Sequence, residues 1–218
     1  MFLSTRINNR CAEAHPTTPN MTNQPHRPVP HDEVLNVIAP MRAFPAQWWI
    51  AGGWAIDLYL GRITRSHGDL EIGIWRDDQS KLRSIFPERK WEKAVDHAWQ
   101  PWPPDERLEL PLFQLKALDE STEEEVEFFL NDRDDHGNFV CRRDNRIRVP
   151  IREAIVTAPG DIPVIAPVMQ LLYKAKYVRE KDQRDFDLIL PLLTSDQRKC
   201  LHSSIEMIHP NHAWLARL

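Results

Sequence analysis

The chain changes its hydrophobic pattern along its length, from short apolar stretches in the first two thirds to helical spacing in the last third. Apolar residues dominate 47–51, and after the Gly52-Gly53 pair they recur at helical spacing over 54–60 until Gly61. This pattern predicts a strand, a glycine turn and a helix that ends at Gly61. Further strands are predicted at 69–75, 91–95, 112–118 and 126–130.

After Pro159-Gly160 the periodicity becomes that of packed helices. The first apolar stripe consists of Val168, Leu171, Leu172 and Ala175. Further apolar positions at helical spacing follow over 186–193 and 201–208. We therefore predict an α+β fold, in which a mixed sheet with flanking helices is followed by a small helical domain.

Composition divides the chain into three parts. Residues 1–30 are rich in Pro, Thr, Asn and His with little periodicity, so we predict a disordered tail. We assign the sheet-containing domain to 31–158 and the helical domain to 159–218. With 42% hydrophobic residues in a chain of 218, these parts can bury a substantial core.

The net charge of -4 gives no general attraction to nucleic acid, so a nucleic-acid partner would need a local basic patch. No apolar run approaches the roughly 20 residues of a membrane helix, and the first residues lack the apolar core of a secretory signal. We therefore expect a cytoplasmic protein with no membrane partner. The sequence leaves both a monomer and a homodimer open.

Two carboxylates follow the glycine turn at a spacing that suits metal chemistry. In a strand, residues at i and i+2 point to the same side, so Asp69 and Glu71 converge. Convergent carboxylates favour the binding of a cation. Anion binding is favoured where a glycine turn joins a strand to a helix N-terminus. The sequence therefore predicts a place for a metal-bound nucleotide, although a solvated strand face is the alternative for this Asp-x-Glu pattern.

Other polar residues extend this candidate site. The link before the second strand brings Arg65 and His67 close to the carboxylates, where positive charge would meet phosphate oxygens. Glu127, flanked by apolar residues, is the expected third carboxylate. A solvent-facing glutamate at a sheet edge stays open as the alternative for Glu127.

These motifs resemble the nucleotidyltransferase superfamily and, within it, the aminoglycoside 2''-adenylyltransferase-like group. The resemblance covers about residues 45 to 215. Its residues are Ala51-Gly52-Gly53-Trp54-Ala55-Ile56-Asp57, Gly61-Arg62, Arg65-x-His67-x-Asp69-Leu70-Glu71-Ile72, Glu127-Phe128-Phe129-Leu130, Ala166-Pro167-x-x-Gln170-Leu171-Leu172-Tyr173-Lys174-Ala175-Lys176 and Lys181-Asp182-x-x-Asp185-Phe186.

The resemblance implies an enzyme that moves a nucleoside monophosphate from a nucleoside triphosphate, with ATP as the expected donor, to a hydroxyl group. It implies that Asp69, Glu71 and Glu127 hold Mg²⁺, and that Glu127 serves either as a ligand or as the general base. The remaining implied nucleotide-binding residues are Gly52, Gly53, Trp54, Arg65, His67 and Lys174. Among them, Lys174 would neutralise charge on the leaving pyrophosphate.

One residue departs from the family pattern. Well-known resistance enzymes of this group carry Asp-x-Asp, whereas this chain has Glu71, which leaves the metal in place but puts the drug substrate in doubt. The expected acceptor is a small, cationic hydroxyl compound such as an aminoglycoside antibiotic, attracted by acidic residues that include Asp105, Glu106 and 123–125. A lincosamide, a tRNA or protein acceptor as in toxins, and a non-catalytic nucleotide-binding module stay open.

Overall fold

The computed structural model describes residues 32–218, so the tail predicted for 1–30 lies outside the described residues. Within them the strands are β1 (Trp48–Ala51), β2 (Leu70–Trp75), β3 (Lys90–Val95), β4 (Ala98–Pro101), β5 (Gln114–Leu118), β6 (Glu125–Arg133), β7 (Asn138–Val140), β8 (Arg148–Pro150), β9 (Ile155–Ala158) and β10 (Ile162–Ile165). The α-helices are α1 (Asp32–Met41), α2 (Gly52–Leu60), α3 (Leu82–Ile85), α4 (Ile151–Ala154), α5 (Pro167–Lys174), α6 (Glu180–Ile189) and α7 (Ser195–Ile208). Short 3-10 helices span Arg76–Lys81, Leu190–Leu192 and Ala213–Arg217.

The strands form one mixed sheet in the order β4-β3-β5-β6-β2-β1-β10-β9, and β7 and β8 extend it as a hairpin beside β6. The β2/β6 and β1/β10 pairs are parallel, and the other neighbours are antiparallel. Helices flank this sheet and follow it in the chain. The predicted α+β fold with a mixed sheet is confirmed.

Alternation along β6 explains how the sheet carries both a core and a polar site. Val126, Phe128 and Leu130 are buried at 2%, 0% and 0% exposure, whereas Glu127 and Phe129 between them are partly exposed. Since side chains alternate between the two faces of a strand, one face of β6 belongs to the core and the other remains available for polar chemistry. The predicted strand at 126–130 lies inside this longer strand.

The C-terminal helices share their core with the sheet. One continuous cluster of buried apolar residues runs from Val34 in α1 to Trp214 near the C-terminus. The sheet itself continues past residue 158, because β10 pairs in parallel with β1, with Val164 opposite Ile50. The helical part of the chain therefore begins at Pro167, and the division into two domains stays a prediction.

The proline-rich stretch after β4 forms a loop, and buried polar side chains fix its path. The Leu108 N–H donates to Gln79 Oε1 at 2.7 Å, and Gln79 Nε2 donates back to the Leu108 carbonyl at 3.1 Å. Arg76 donates to the Leu112 carbonyl at 2.7 Å and pairs with Asp132. These bonds position the start of β5, which lines the candidate site.

Candidate active site

The predicted carboxylates meet where β2 and β6 lie side by side. Glu71 of β2 and Glu127 of β6 are partners in the parallel register, so their side chains lie on the same face of adjacent strands. Asp69 is exposed and immediately precedes β2. The structure thus brings together the three carboxylates that the sequence analysis selected.

Burial and mutual repulsion disfavour the charged forms of two of these carboxylates. Burial raises the pKa of Glu71, and the Asp69 charge raises it further, while the charges of Lys174 and Arg142 oppose the rise. Burial also raises the pKa of Glu127 to about 7, against a hydrogen bond from Gln114 and with added repulsion from Glu71 and Asp69. A bound cation would relieve this repulsion.

These residues suit a hard divalent cation in ligand type and charge. Carboxylate oxygens are the ligands that Mg²⁺ prefers, and the pKa values of Glu71 and Glu127 are raised mainly by burial and further by neighbouring carboxylates. Between residues 32 and 218, however, no group of three or more His, Cys, Asp or Glu side chains is already assembled in a metal-binding geometry. The donor chemistry fits Mg²⁺, and its ligand atoms would have to close around the ion.

The glycine turn packs directly against Glu71. Gly52 has a φ of 70°, and a Cβ built on it would lie 2.6 Å from Glu71 Oε2, so a side chain there would be strained and would displace Glu71. The Gly52 N–H donates to Gln170 Oε1 at 2.8 Å, in a buried bond between the start of α2 and α5. The Gly52 amide that the resemblance assigns to phosphate is therefore already engaged by Gln170.

The neighbouring Gly53 is covered by Arg65 and His67. A Cβ on Gly53 would lie 2.2 Å from Arg65 Nη2 and 2.4 Å from His67 Nδ1. The His67 ring packs on Trp54 with 4.4 Å between ring centroids, and its Nε2 lies 2.7 Å from Asp57 Oδ2. In this structure, these predicted nucleotide-binding residues hold the turn and the start of α2 in place.

Asp57 is the buried anchor of that arrangement. It is fully buried, and it accepts hydrogen bonds from the Thr64 hydroxyl at 2.5 Å and the Thr64 N–H at 3.0 Å. Burial would raise the pKa of Asp57, but the bonds from His67 and Thr64 outweigh it and lower the pKa below its ordinary value. The link after α2 is thereby tied back to the helix.

A chain of ion pairs surrounds Lys174. Its Nζ lies 2.8 Å from Asp182 Oδ1 and 3.0 Å from Asp185 Oδ2. Arg65 Nη2 lies 3.4 Å from Asp185 Oδ2, and Arg179 Nε lies 2.7 Å from Asp182 Oδ2. Lys174 is only 8% exposed, so the predicted phosphate ligand is buried between two carboxylates and acts on Glu71 through its charge.

Sequence analysis did not select Gln114, Gln170 or Arg142 as site residues. Gln114 Nε2 donates to Glu127 Oε2 at 2.9 Å, and Gln170 belongs to a motif that carries the resemblance but was given no role. Arg142 lies over the rings of Phe129 and Tyr173, at 5.1 and 4.7 Å from their centroids. Only the three-dimensional structure reveals the role of Arg142.

Arg142 also lines a small cavity behind the candidate metal ligand. The cavity measures about 40 Å³ and is lined by Glu71, Asn131, Arg142, Gln170 and Tyr173, among others. Its volume and polar lining are sufficient for an ordered water. Such a water would connect Glu71 to the charge of Arg142.

The mixed sheet with its glycine turn and neighbouring carboxylates is similar in fold to solved antibiotic nucleotidyltransferases. The lincosamide antibiotic adenylyltransferase LnuA, solved with lincomycin bound, aligns with a TM-score of 0.53 and 16% identity over 73% of this chain and 95% of that chain. ANT(2'')-Ia in complex with adenylyl-2''-tobramycin aligns with a TM-score of 0.52 and 15% identity over 80% and 95%. These likenesses establish the fold.

Sequence comparison relates part of this chain to the aminoglycoside-2''-adenylyltransferases. Residues 33–102 match the family model of aminoglycoside-2''-adenylyltransferase. Over 37 residues, the chain is 46% identical to a 2''-aminoglycoside nucleotidyltransferase of Escherichia coli, a match that covers 17% of this chain and 21% of that protein. The chain thus matches about a fifth of the length of its curated relatives. The predicted resemblance to the 2''-adenylyltransferase-like group is confirmed by the match over residues 33–102. No helix between residues 32 and 218 is long and apolar enough to span a bilayer.

Proposed function

We propose that this protein is an enzyme that transfers a nucleoside monophosphate from a nucleoside triphosphate, with ATP as the expected donor, to a hydroxyl group of a small molecule. The observation that carries the proposal is the register of β2 and β6, which sets Glu127 beside Glu71. Asp69 acts on both of these groups through its charge. The match of residues 33–102 to the 2''-adenylyltransferase family supports the same reaction.

The proposed metal ligands are Asp69 and Glu71. A Mg²⁺ ion bound by them would neutralise the triphosphate and stabilise the entering and leaving oxygens of an in-line displacement. Glu71 is held for this task by its packing against Gly52. Lys174 and Arg142 keep positive charge near Glu71.

Glu127 is the proposed general base. It would accept the proton of the acceptor hydroxyl while a bond forms between that oxygen and the α-phosphorus. The bond from the α-phosphorus to the bridging oxygen breaks at the same time, and pyrophosphate leaves with the electron pair. The Gln114 amide, 2.9 Å from Glu127 Oε2, orients the base toward β5.

Measurement of pyrophosphate release tests this proposal. Each nucleoside triphosphate is incubated with Mg²⁺ and with aminoglycosides, lincosamides or bulk tRNA, beside an Asp69→Asn variant. Release that requires an acceptor and an intact Asp69 supports the proposal and names the acceptor class. Wild-type-like release by Asp69→Asn would refute the metal site, and a protein that neither turns over nor is thermally stabilised by Mg-ATP would be a non-catalytic module.

A further inference from the structure

The sheet order places the acceptor on one side of the proposed reaction centre. In an in-line displacement, the entering hydroxyl and the leaving pyrophosphate lie on opposite sides of the phosphorus. The charges of Lys174, Arg142 and Lys181 act on Glu71, which lies on the β1 side of Glu127, so the leaving pyrophosphate is expected on that side. The acceptor would therefore approach from the other side of Glu127, over β5, β3 and β4.

We define the acceptor face as the side chains that these strands present on the same side as Glu127. Lys116 of β5 is opposite Glu127, and Glu92 of β3 is opposite Lys116. Opposed residues of antiparallel neighbours lie on one face, so the acceptor face extends from Glu127 across both strands. The members that carry the argument are Lys90, Glu92, Trp99, Gln114, Lys116 and Glu125.

The charges of the acceptor face balance one another. Lys116 Nζ lies 3.3 Å from Glu92 Oε2 and 3.2 Å from Glu125 Oε2. Lys90 Nζ lies 3.1 Å from Glu92 Oε1. With two lysines and two glutamates, the acceptor face carries no net negative charge apart from the proposed metal ligands and base.

Lys116 is held firmly in this position. Its side chain is only 11% exposed, and its Nζ lies 4.6 Å from the centroid of the Trp99 ring. The ammonium group is thus fixed by two carboxylates and one indole ring. Because Lys116 neutralises Glu92 and Glu125, these two carboxylates are not available to bind an acceptor that carries several ammonium groups.

Three of the acidic residues expected to attract a polycation, Glu106, Glu124 and Glu125, have cationic partners in the structure. Glu106 pairs with Lys93, and Glu124 Oε2 lies 3.8 Å from Arg89 Nη2. With Glu125 paired to Lys116, these carboxylates offer little free charge to a cationic antibiotic.

Neutral and apolar groups on the acceptor face suit a different acceptor. Trp99 is partly exposed and offers an aromatic surface, whereas Trp102 of the same region is only 3% exposed and packs on Trp91. Gln114 adds a neutral amide next to the base. Aromatic area with a few neutral polar groups is typical of sites for sugar-like or amphipathic alcohols.

We propose that this enzyme selects hydroxyl acceptors that are uncharged or carry a single positive charge, that it discriminates against polycations, and that Lys116 is the specificity-determining residue. The inference rests on the proposed function for the location of the acceptor. It also deepens that function by naming the acceptor class.

Binding measurements test the inference separately from catalysis. Tobramycin, a polycation, and lincomycin, which carries a single amine, are titrated calorimetrically into the full chain in the presence of Mg²⁺ and a non-hydrolysable ATP analogue. The variants are Lys116→Glu, the milder Lys116→Gln and the control Lys199→Glu, whose charge change is the same but whose side chain is 79% exposed on α7. Thermal melting establishes whether each variant folds. If Lys116→Glu does not fold, Lys116→Gln is used in its place.

We expect the wild type to bind lincomycin more tightly than tobramycin. Lys116→Glu should tighten tobramycin binding at least about tenfold, since it frees Glu92 and Glu125 from their ion pairs and adds a third carboxylate, and Lys199→Glu should leave it unchanged. The inference is overturned if the wild type prefers tobramycin, or if Lys116→Glu alters tobramycin binding no more than Lys199→Glu does. Failure of the proposed function would instead appear as the absence of any Asp69-dependent pyrophosphate release, whatever the binding result.

Discussion

Glu71 and Glu127 are partners in the parallel pair of β2 and β6, although 56 positions separate them in the sequence. This register places two carboxylates with raised pKa values on one face of the sheet. Burial is the main cause of both raised pKa values, and the charge of Glu71 adds to the rise at Glu127. The pairing therefore costs stability in the metal-free protein, and it supplies a ligand and a base for the proposed reaction.

Replacing Glu127 by glutamine separates its cost to stability from its role as the proposed base. We expect Glu127→Gln to lower transfer at least about 100-fold, because the proposed base is lost. At pH 8 without Mg²⁺ the same variant should melt at or above the wild-type temperature, because an uncharged amide avoids the cost of burying a charge and removes the repulsion from Glu71. Pyrophosphate release and thermal melting measure the two outcomes. Glu120→Gln, at an exposed position of the β5–β6 turn, is the control, and unimpaired transfer by Glu127→Gln would exclude the assigned base.

The glycine turn makes a second prediction. Gly52→Ala should lower the free energy of unfolding by at least about 1 to 2 kcal/mol, the usual cost of a left-handed backbone for a residue with a Cβ. A further loss of stability should come from the added Cβ, which would lie 2.6 Å from Glu71 Oε2 before any shift. Gly68→Ala is the matched control, since a Cβ there has no atom within 4 Å. Urea denaturation measures both, and equal stability of the two variants would contradict the packing.

A double-mutant cycle with Glu71→Asp separates two contributions to the cost of Gly52→Ala, the strained backbone and the contact with Glu71. The shorter side chain withdraws its carboxylate from Gly52, so Gly52→Ala should be less harmful in the Glu71→Asp background. The backbone contribution should remain, since a φ of 70° is unaffected by Glu71. A coupling free energy between the two changes is therefore expected, and strict additivity would mean that the two residues do not touch.

Local patterns allowed much of the site to be predicted from the sequence. The i, i+2 spacing of Asp69 and Glu71 and the glycine pair before a helical pattern depend only on neighbours in the chain. Glu127 was selected because apolar residues flank it, and β6 does place it between buried residues. Its direct pairing with Glu71 depends on the sheet order, which no local pattern determines.

The parts that were not predicted depend on long-range contacts. Gln170 reaches the Gly52 amide across 118 positions, and the pairing of Lys174 with Asp185 requires α5 and α6 to pack together. Strand β10 was missed because its four residues include Pro163, which weakens a strand pattern. It forms at an interior position of the sheet because β1 and β9 lie on either side of it.

Asp182 makes a prediction about pH. Burial would raise its pKa, but hydrogen bonds from Arg179 and Lys174 lower it to about 2 from the ordinary 3.8. A carboxyl group with a depressed folded-state pKa contributes stability above its unfolded pKa, and that contribution is lost as the pH falls through the folded value. Asp182→Asn should therefore be less stable by about 2 kcal/mol at pH 7, and the difference should shrink as the pH falls below 3.8 toward 2.

Urea unfolding at a series of pH values from neutral to acidic tests this expectation. Asp187→Asn on the same helix is the control, because its ion pair with Arg217 is about half exposed. Exposed pairs contribute about 0 to 1 kcal/mol, so this control should change little at any pH. A deficit of Asp182→Asn that stays constant down to acidic pH would show that the carboxylate charge is not what stabilises α6.

Arg142 should stabilise the hairpin of β7 and β8 against the face that carries Glu71. Its guanidinium donates to Asn131 Oδ1 and lies 4.7 to 5.1 Å from the centroids of three aromatic rings, those of Phe113, Phe129 and Tyr173. Arg142→Met should lower the free energy of unfolding by about 2 kcal/mol, from the loss of a charged hydrogen bond and of cation–π contacts.

Two further variants make the Arg142 prediction specific. Arg142→Lys should lose less stability than Arg142→Met, because an ammonium group retains part of the attraction to the rings. Arg146→Met is the control on the same hairpin, since Arg146 is 66% exposed and pairs with Asp144 two residues away. Urea denaturation of the three variants at pH 7 provides the comparison. Equal losses for Arg142→Met and Arg146→Met would mean that the aromatic surroundings of Arg142 contribute nothing beyond an ordinary surface ion pair.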